Sequence, residues 1–482
     1  MNEDNKVFSN FIWRMLERFG AQGVTMVVSV VLARVLDPEL YGTVALVTVI
    51  TTVLQVFLDG GFSNALIQKK DADDLDFSSV FYFNIMTGVV LYGLLFAAAP
   101  FIAEFYNSPD LTPVIRVLGL TLIIFSLKSV QQAYVSRNML FKKFFFATLG
   151  GTVGAAVIGI ALAYTGFGVW ALVAQHIFNM LVDTVILWFM VKWRPVAAFS
   201  WKRIKNLLPF GWKMLVSALI DTIYNDVRQL LIGKMYTKSD LAYYNQGQKY
   251  TYTIVTNINS SIDSVLFPTM ANAQNDVATV KSMTQRAIKV STYLMMPMMM
   301  GIAICAEPIV RLLLTEKWLP CVPYMRIFCF TYAFYPIHTA NLNAIKAMGR
   351  SDLFLKLEII KKIIGTAALL ATIWFGPFVI ACSLLVTTVI NQVINSWPNK
   401  NLLGYKYIDQ VKDMLPQMGL TCLMGAAVFC VTFLKLPDVI TLLIQVPLGV
   451  VIYFGCSKLF HIDSFEYILG VAKNYLPKKH KN

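Results

Sequence analysis

The sequence predicts an all-α polytopic membrane protein, and three observations support this fold class. Of the 482 residues, 57% are hydrophobic and only 14% are charged, and the mean hydropathy is +0.61. A soluble chain of this length would carry roughly a quarter charged residues. Apolar runs long enough to cross about 30 Å of hydrocarbon recur along the chain. Short stretches also recur in the same order, which indicates a duplicated architecture.

Fourteen apolar segments are predicted to be transmembrane helices joined by short loops. No loop is long enough to hold a folded extramembrane domain, so the function is expected to reside in the helices. The predicted spans cover approximately residues 12–36, 42–67, 79–103, 113–135, 144–165, 168–191, 209–234, 243–270, 288–306, 322–345, 359–375, 378–397, 414–434 and 439–459.

The distribution of Lys and Arg predicts the orientation. If the amino terminus lies in the cytoplasm, the loops after even-numbered spans are cytoplasmic, and they hold most of the basic loop residues. The stretches 192–205 and 346–362 are the richest of these. Both termini are therefore predicted to be cytoplasmic. The net charge of +14 is then a topology signal and needs no nucleic-acid partner as its explanation.

The start of the chain and its cysteines bear on targeting and metal binding. MNEDNKVFSN is polar and lacks the pattern of a cleavable signal peptide, so the first segment is expected to be an uncleaved anchor. The 7 cysteines show no CxxC spacing and the 4 histidines share no motif, so neither a metal site nor a cofactor is expected.

Three pairs of short stretches follow the same order in two halves of the chain. The pairs are FIWRML (11–16) with FGWKML (210–215), TPVIRVLGLT (112–121) with VPYMRIFCFT (322–331), and TGFGVWAL (165–172) with FGPFVIAC (375–382). The separation rises from 199 to 210 residues, as unequal loop lengths in duplicated halves would produce.

The repeat predicts the domain organisation. Each half holds six spans, an even number, so both halves enter the membrane the same way round and form a parallel repeat. The predicted divisions are a first six-helix repeat over 1–204 and a second over 205–404. Residues 405–482 hold two additional helices and a basic cytoplasmic tail.

Polar side chains spaced by three or four residues follow one face of the second and eighth spans. They are Thr52, Gln55, Asp59 and Ser63 in the second span, and Thr256, Asn259 and Asp263 in the eighth. An ionised residue at the centre of a membrane helix costs about 2.5–3.5 kcal/mol, so these aspartates are expected to face protein or water. Asp59 and Asp263 are the predicted ion-coupling residues. The alternative is a structural aspartate that hydrogen-bonds a neighbouring helix.

The seventh and first spans hold the cationic candidates for a central substrate cavity. The seventh span is too polar to face lipid. Internal Asp–Arg pairing is the structural alternative for the seventh span, and snorkelling anchors are the alternative for Arg14 and Lys213. The predicted substrate-binding residues are Arg14, Glu17, Arg18, Lys213, Asp221, Tyr224, Asn225, Arg228 and Asn259.

Four further charges in the spans allow two interpretations each. Lys128 in the fourth span and Asp183 in the sixth could form a buried pair or line the rim of a cavity. Arg116 and its repeat partner Arg326 lie near outer helix ends. They could anchor the helices or line an outward-open state.

Several stretches resemble the polysaccharide-transporter branch of the multidrug/oligosaccharidyl-lipid/polysaccharide exporter superfamily, the Wzx-type flippases. They are LARVLDPELYGTVAL (32–46), FLDGGFSNALIQKKD (57–71), FYNSPDLTPVIRVLGL (105–120) and VLFPTM at the end of the eighth span. The resemblance covers nearly the whole chain and is more specific in its first half.

The resemblance implies a fold and a function. The implied fold is two six-helix bundles meeting in a V, with two extra helices. The implied function is movement of an undecaprenyl-pyrophosphate-linked oligosaccharide from the cytoplasmic to the outer leaflet of the bacterial inner (plasma) membrane, for surface polysaccharide biosynthesis. A proton or a sodium ion is the implied coupling ion. A polysaccharide polymerase and glycosyltransferases are the implied protein partners.

Three other functions remain open at this point. A lipid II flippase has the same architecture, and a drug or cation antiporter belongs to the same superfamily. Twelve spans and an acidic site are usual for the drug exporters, whereas this chain has fourteen predicted spans and basic residues. An enzyme that polymerises or ligates lipid-linked sugars should have a large outer loop with clustered catalytic groups, and no predicted loop qualifies. The chain is therefore predicted not to be an enzyme.

Overall fold

The computed structural model describes residues 20–59, 61–69 and 71–475, without the side chains of 261, 264 and 471–475. Over these residues the regular structure is entirely helical. The chain divides into two compact units, Met1–Ala242 and Tyr243–Asn482. The prediction of an all-α membrane protein is confirmed.

The first unit contains the helices up to the start of α9. They are α1 (Gly20–Val35), α2 (Pro38–Asp59), α3 (Phe62–Gln68), α4 (Asp74–Phe105), α5 (Leu111–Arg137), α6 (Phe141–Tyr164), α7 (Val169–Met190) and α8 (Trp201–Met235).

Helix α9 (Lys238–Asn272) leads into the second unit. Its other helices are α10 (Val277–Ile304), α11 (Ala306–Leu313), α12 (Val322–Ala333), α13 (Tyr335–Ala347), α14 (Ser351–Thr372), α15 (Pro377–Ser396), α16 (Asn399–Leu402), α17 (Tyr407–Thr432), α18 (Asp438–Leu459) and α19 (Asp463–Tyr475). A 3₁₀ turn, Glu316–Cys321, joins α11 to α12.

Ten helices in the described part of the chain are long and apolar enough to cross a membrane. The other predicted spans correspond to shorter or more polar helices. The described part of α1 is short, α9 is rich in polar residues, α12 and α13 are separated by a turn at Phe334, and α14 contains several charged residues. The number fourteen therefore stays a prediction.

The segment between α7 and α8 is held against the first turns of α4. The Val196 amide donates a hydrogen bond to Ser78 Oγ (2.9 Å), and the Ser200 amide donates to Ser79 Oγ (3.0 Å). Both serines are fully buried. Because a non-helical segment must satisfy its own backbone groups, these two hydroxyls fix the path of the connection between the predicted repeats.

Charged groups reinforce this attachment. Asp73 caps α4 in a capping box with Asp76, whose carboxylate is fully buried and 2.6 Å from Lys69 Nζ. Arg203, in the first turn of α8, lies 2.8 Å from Asp73 and 3.5 Å from Asp76. The hydrogen bond from the Asp76 amide and, less strongly, the Arg203 guanidinium hold the pKa of Asp73 below its ordinary value.

Helix α8 packs within the first unit, although the repeat makes it the first helix of the second half. A Cβ on Gly61 would lie only 2.7 Å from the carbonyl oxygen of Gly211, so two glycines are needed where α3 approaches α8. Along the chain, the first compact unit thus ends at residue 242. The predicted divisions at 204 and 404 stay predictions.

Backbone geometry recurs at the separation that the sequence echoes indicated. Three pairs of positions 208 or 210 residues apart have positive φ: Asn107 with Thr315, Met139 with Gly349, and Gly166 with Gly376. Each of these residues lies just after the end of a helix. The common spacing of these helix ends indicates that α5 corresponds to α12 and α13 together, and that α6 corresponds to α14.

The repeat-related arginines make equivalent contacts. Arg116 Nε donates to the carbonyl oxygen of Phe96 on α4 (3.5 Å), and its guanidinium lies 4.2 Å from the centroid of that phenyl ring. Arg326 Nε donates to the carbonyl oxygen of Ala303 on α10 (3.2 Å). Each arginine therefore joins its helix to the preceding long helix, which favours the anchor interpretation.

Lys128 and Asp183 form a buried ion pair between α5 and α7, with side chains only 12% and 9% exposed. The buried-pair interpretation is therefore correct. In the second unit, His338 on α13 is the repeat partner of Lys128, and its Nδ1 lies 3.1 Å from Asn395 Nδ2 on α15. One unit thus joins these helices with an ion pair, and the other joins them with an imidazole and an amide.

We predict that breaking the ion pair destabilises the protein, and that replacing both charged side chains with neutral ones restores most of the stability. Asp183→Asn leaves a buried ammonium unpaired, which costs about 3–5 kcal/mol. Lys128→Met together with Asp183→Asn should recover most of this loss, because no charge is then left unpaired in the bundle. The measurement is the apparent Tm in detergent. Asp352→Asn, in the exposed pair with Arg350, should leave the Tm nearly unchanged. A wild-type Tm for Asp183→Asn alone would contradict the assignment.

We also predict that Ser78→Ala speeds hydrogen exchange at the Val196 amide and leaves the Ser200 amide unaffected. Ser79→Ala should have the converse effect, so each variant is the control for the other. Loss of a hydrogen bond worth about 1 kcal/mol corresponds to roughly fivefold faster exchange. Exchange mass spectrometry in nanodiscs measures both positions. If each variant exchanged both amides at the wild-type rate, the serines would not hold the segment.

Candidate functional site

The predicted site residues lie in different parts of the structure. Arg14, Glu17 and Arg18 lie outside the described residues. Lys213, Asp221, Tyr224, Asn225 and Arg228 are on α8, and Asp59 ends α2, all in the first unit. Asn259 and Asp263 are on α9 in the second unit. Their convergence on one central cavity stays a prediction.

Helix α8 presents cationic and aromatic groups on one face. Lys213, Asp221 and Asn225 are exposed, whereas Arg228 is buried. The Arg228 guanidinium lies 5.6 Å from the centroid of the Tyr224 ring, one turn earlier. This cation–π contact holds the guanidinium in a fixed place. Arg228 is therefore a preorganised cation on α8, and the role of this face in substrate binding stays a prediction.

Two residues beside this face bind each other. Gln229 Nε2 donates a hydrogen bond to Asp226 Oδ1 at 3.1 Å, within one turn of α8. This contact satisfies one polar atom of each side chain within the helix itself.

Helix α9 is bound to α13 through both of its predicted site residues. Thr339 Oγ1 donates to Asn259 Oδ1 (2.7 Å), and Asn343 Nδ2 donates to Asp263 Oδ1 (2.8 Å). Lys346 Nζ lies 4.0 Å from the same Asp263 oxygen. Three residues of α13 at helical spacing thus satisfy the polar stripe of α9. This geometry corresponds to the structural alternative for Asp263.

Asp59 is exposed and lines a polar cavity of about 290 Å³ in the first unit. Its lining comes from α2, α3, α5 and α6. The lining residues are Asp59, Ser63, Asn64, Ile67, Ser129, Gln132, Ala133, Ser136, Phe144 and Thr148. Lys128 lies within electrostatic range of Asp59 while it binds Asp183. A carboxylate surrounded by hydroxyls and amides can bind a cation or hydrogen-bond a polar ligand.

The second unit contains an apolar cavity of about 420 Å³ between α10, α17 and α18. Tyr293, Met298, Val428 and Tyr453 contribute to its lining, and Gln445 is a polar member. Gln445 is buried and donates to the carbonyl oxygen of Val428 (3.2 Å), so its amide is already satisfied. The cavity therefore suits a hydrocarbon chain.

The sequence patterns did not identify the residues of α5 and α13 that lie beside the two aspartates. Ser129, Gln132 and Ser136 line the Asp59 cavity, and Asn343 and Lys346 contact Asp263. A signal was present, because Ser136 and Lys346 are separated by the same 210 residues as the echoes. The stripes on the fourth and tenth spans needed to be read together with those on the second and eighth.

Curated relatives match most of this chain at low identity. It is 26% identical over 390 residues to the teichuronic acid biosynthesis protein TuaB of Bacillus subtilis (strain 168), covering 79% of this chain and 80% of that protein. It is 24% identical over 410 residues to the succinoglycan biosynthesis transport protein ExoT of Rhizobium meliloti (strain 1021), covering 85% and 81%. It is 22% identical to the lipopolysaccharide biosynthesis protein WzxC of Escherichia coli (strain K12), covering 84% of each.

Two solved structures share the fold. A lipid II flippase, MurJ, in its inward closed conformation, superposes with a TM-score of 0.75 at 15% identity, covering 96% of this chain and 99% of that chain. An inward-facing multidrug resistance MATE family transporter of the MOP superfamily gives a TM-score of 0.63 at 14% identity, covering 81% and 98%.

The family model described as "Polysaccharide biosynthesis protein" matches residues 31–323. That range exceeds half of the chain, and it includes the polar cavity, the polar face of α8 and all of α9. The chain belongs to this polysaccharide biosynthesis protein family.

Proposed function

We propose that this multi-pass membrane protein is a flippase. Its substrate is an undecaprenyl-pyrophosphate-linked oligosaccharide, moved from the cytoplasmic to the outer leaflet by alternating access for the biosynthesis of lipopolysaccharide, capsule or exopolysaccharide. The observation that carries the proposal is the polar face of α8, with Arg228 held over Tyr224 on a helix long enough to cross the membrane. The family and the names of the relatives support the substrate class.

A pyrophosphate explains why this face is cationic. Each phosphate group accepts several hydrogen bonds, and a guanidinium can donate two in parallel to one phosphate. Arg228 supplies such a group, and the exposed ammonium of Lys213 lies nearer the start of the same helix. The exposed amide of Asn225 offers a donor and an acceptor to sugar hydroxyls. Arg14, Glu17, Arg18, Asp221 and Asn259 complete the proposed site.

A polyprenyl chain explains the apolar cavity of the second unit. Its lining between α10, α17 and α18 is almost entirely hydrocarbon and sulfur. An isoprenoid segment buried there would gain about 25 cal/mol for each Å² removed from water. The sugar needs polar surface and the tail needs apolar surface, and this chain provides both.

The solved proteins of this fold support transport over catalysis, because they are described as a flippase and as multidrug transporters. Lipid II transport remains the second candidate, since the MurJ structure covers nearly the whole chain. The exposed cationic Lys213 disfavours a cationic drug as substrate.

The setting of the protein is part of the proposal. We place it in the inner (plasma) membrane of a bacterial cell with both termini in the cytoplasm, where the basic loops face the anionic leaflet. A proton or sodium gradient drives the cycle. The polymerase and glycosyltransferases of the same polysaccharide are the proposed protein partners.

Leaflet transfer in proteoliposomes tests the function. Vesicles contain a fluorescent undecaprenyl-pyrophosphate oligosaccharide, and a membrane-impermeant quencher reports the fraction in the outer leaflet. We expect transfer with the protein and none with empty vesicles. Lipid II is assayed in parallel, and preferential transfer of lipid II would favour the second candidate. Efflux of a cationic dye without transfer of either lipid would overturn the proposal.

We predict that Arg228→Ala lowers the transfer rate by roughly tenfold to a hundredfold, the loss expected for a hydrogen bond to a charged group worth about 1.5–3 kcal/mol. Arg228→Lys should retain part of the activity, because it keeps the charge and loses the planar fork. Arg350→Ala, which removes an exposed arginine outside the proposed site, is the control and should behave as wild type. Full activity of Arg228→Ala at wild-type abundance in the membrane would assign Arg228 a structural role.

A further inference from the structure

The aspartate of each unit and four further positions are related pairwise by the repeat. In the first unit they are Asp59, Ser63, Ala133, Ser136 and Phe144, and all five line the polar cavity. In the second unit the equivalents are Asp263, Phe267, Asn343, Lys346 and Phe354. The first two pairs are separated by 204 residues and the last three by 210, which lies within the range of 199 to 210 for the echoes. Two versions of one site therefore lie in the same chain.

The second unit balances its aspartate with a lysine. Lys346 Nζ lies 4.0 Å from Asp263 Oδ1, 5.4 Å from the centroid of Phe267 and 5.6 Å from the centroid of Phe354. Asn343 donates to the same carboxylate oxygen (2.8 Å). The Lys346 ammonium is thus bound by a carboxylate and two aromatic rings, which is a recognised environment for a monovalent cation.

The first unit has smaller residues where the second has the two partners of its aspartate. Ala133 replaces the asparagine and Ser136 replaces the lysine, while Ser63 replaces a phenylalanine. These substitutions accompany the cavity of about 290 Å³. Its oxygen atoms come from one carboxylate, from hydroxyls and from side-chain amides, which are ligands that hard cations prefer. The volume accommodates an ion together with several water molecules.

Within the described part of the chain, the charged groups linked to Asp59 favour a single added positive charge. Asp59 interacts with Lys128, but the Lys128 ammonium hydrogen-bonds Asp183. These two carboxylates and one ammonium sum to one negative charge. Arg137, which follows Ser136, donates to the carbonyl oxygens of Leu66 and Lys69. The equivalent pair of the second unit, Asp263 with Lys346, sums to zero.

We propose that the Asp59 cavity binds a monovalent cation, namely sodium, and that the Lys346 ammonium is its tethered equivalent in the second unit. The chain then has one exchangeable cation site instead of two. As a statement about coupling, this rests on the proposed transport function, and it assigns the coupling ion to Asp59 and not to Asp263. As a statement about binding, it stands on the cavity alone.

Binding of radioactive sodium to the purified protein in nanodiscs tests the site. We expect saturable binding of one sodium per wild-type chain, with potassium and choline as competitors that set selectivity. Asp59→Asn should abolish saturable binding. Ser136→Lys should also abolish it, because the new ammonium would supply the cation in place. Asp263→Asn is the matched control and should bind sodium as wild type does.

The Tm in sodium chloride against choline chloride keeps the test independent of misfolding. The wild type should melt at a higher temperature in sodium, and Ser136→Lys should melt at one temperature in both salts, at or above the wild type in choline. Wild-type sodium binding by Asp59→Asn, or its loss in Asp263→Asn, would overturn the site. A wild type that binds no sodium and whose Tm responds only to pH, through Asp59, would replace sodium by a proton.

Leaflet transfer separates this inference from the proposed function. If transfer requires sodium in the wild type and becomes independent of sodium in Ser136→Lys, the site couples transport. Sodium binding without transfer of any lipid would refute the flippase and leave the cation site standing. Transfer without sodium binding would do the reverse.

Discussion

The structure depends on the cost of placing charge in an apolar environment. An unpaired carboxylate or ammonium inside the bundle is expensive, and removing one partner of a buried pair costs several kcal/mol. Helices are therefore joined where polar groups meet, as Lys128 meets Asp183 and as Asn343 meets Asp263. Lipid is as apolar as leucine, so the choice of neighbour depends on polar partners and on small residues that let helices approach closely, as Gly61 and Gly211 do between α3 and α8.

Duplication lets one chain solve this problem twice. The contact between α5 and α7 is an ion pair in the first unit. In the second unit, α13 and α15 are joined by His338 and Asn395. Each solution satisfies the same helix pair, so neither copy constrains the other. The freedom extends to the aspartate sites, where Ser136 and Lys346 occupy equivalent positions. In the proposed cation site, the first unit would take from solution the positive charge that Lys346 supplies covalently in the second unit.

Much of the fold could be predicted from the sequence, and the limits have physical causes. Apolar length predicted the helices, and helical spacing predicted the polar positions along α8 and α9. Spacing identifies a face but not the helix opposite it, so Asn343 and Lys346 were missed beside Asp263. The two interpretations of Lys128 and Asp183 required a distance to decide between them.

The location of α8 links the proposed substrate face to the cation cavity. Both belong to the first unit, since α8 packs against α2 and α3 there and the Asp73–Arg203 contact holds its first turn. In the proposed cycle, a cation at Asp59 and a pyrophosphate at Arg228 would occupy the same unit. An inward sodium gradient can drive export only by exchange, so the two ligands would bind in different states of the cycle, and the coupling between them is reciprocal. A covalently attached ammonium such as Lys346 cannot be exchanged, because it never leaves.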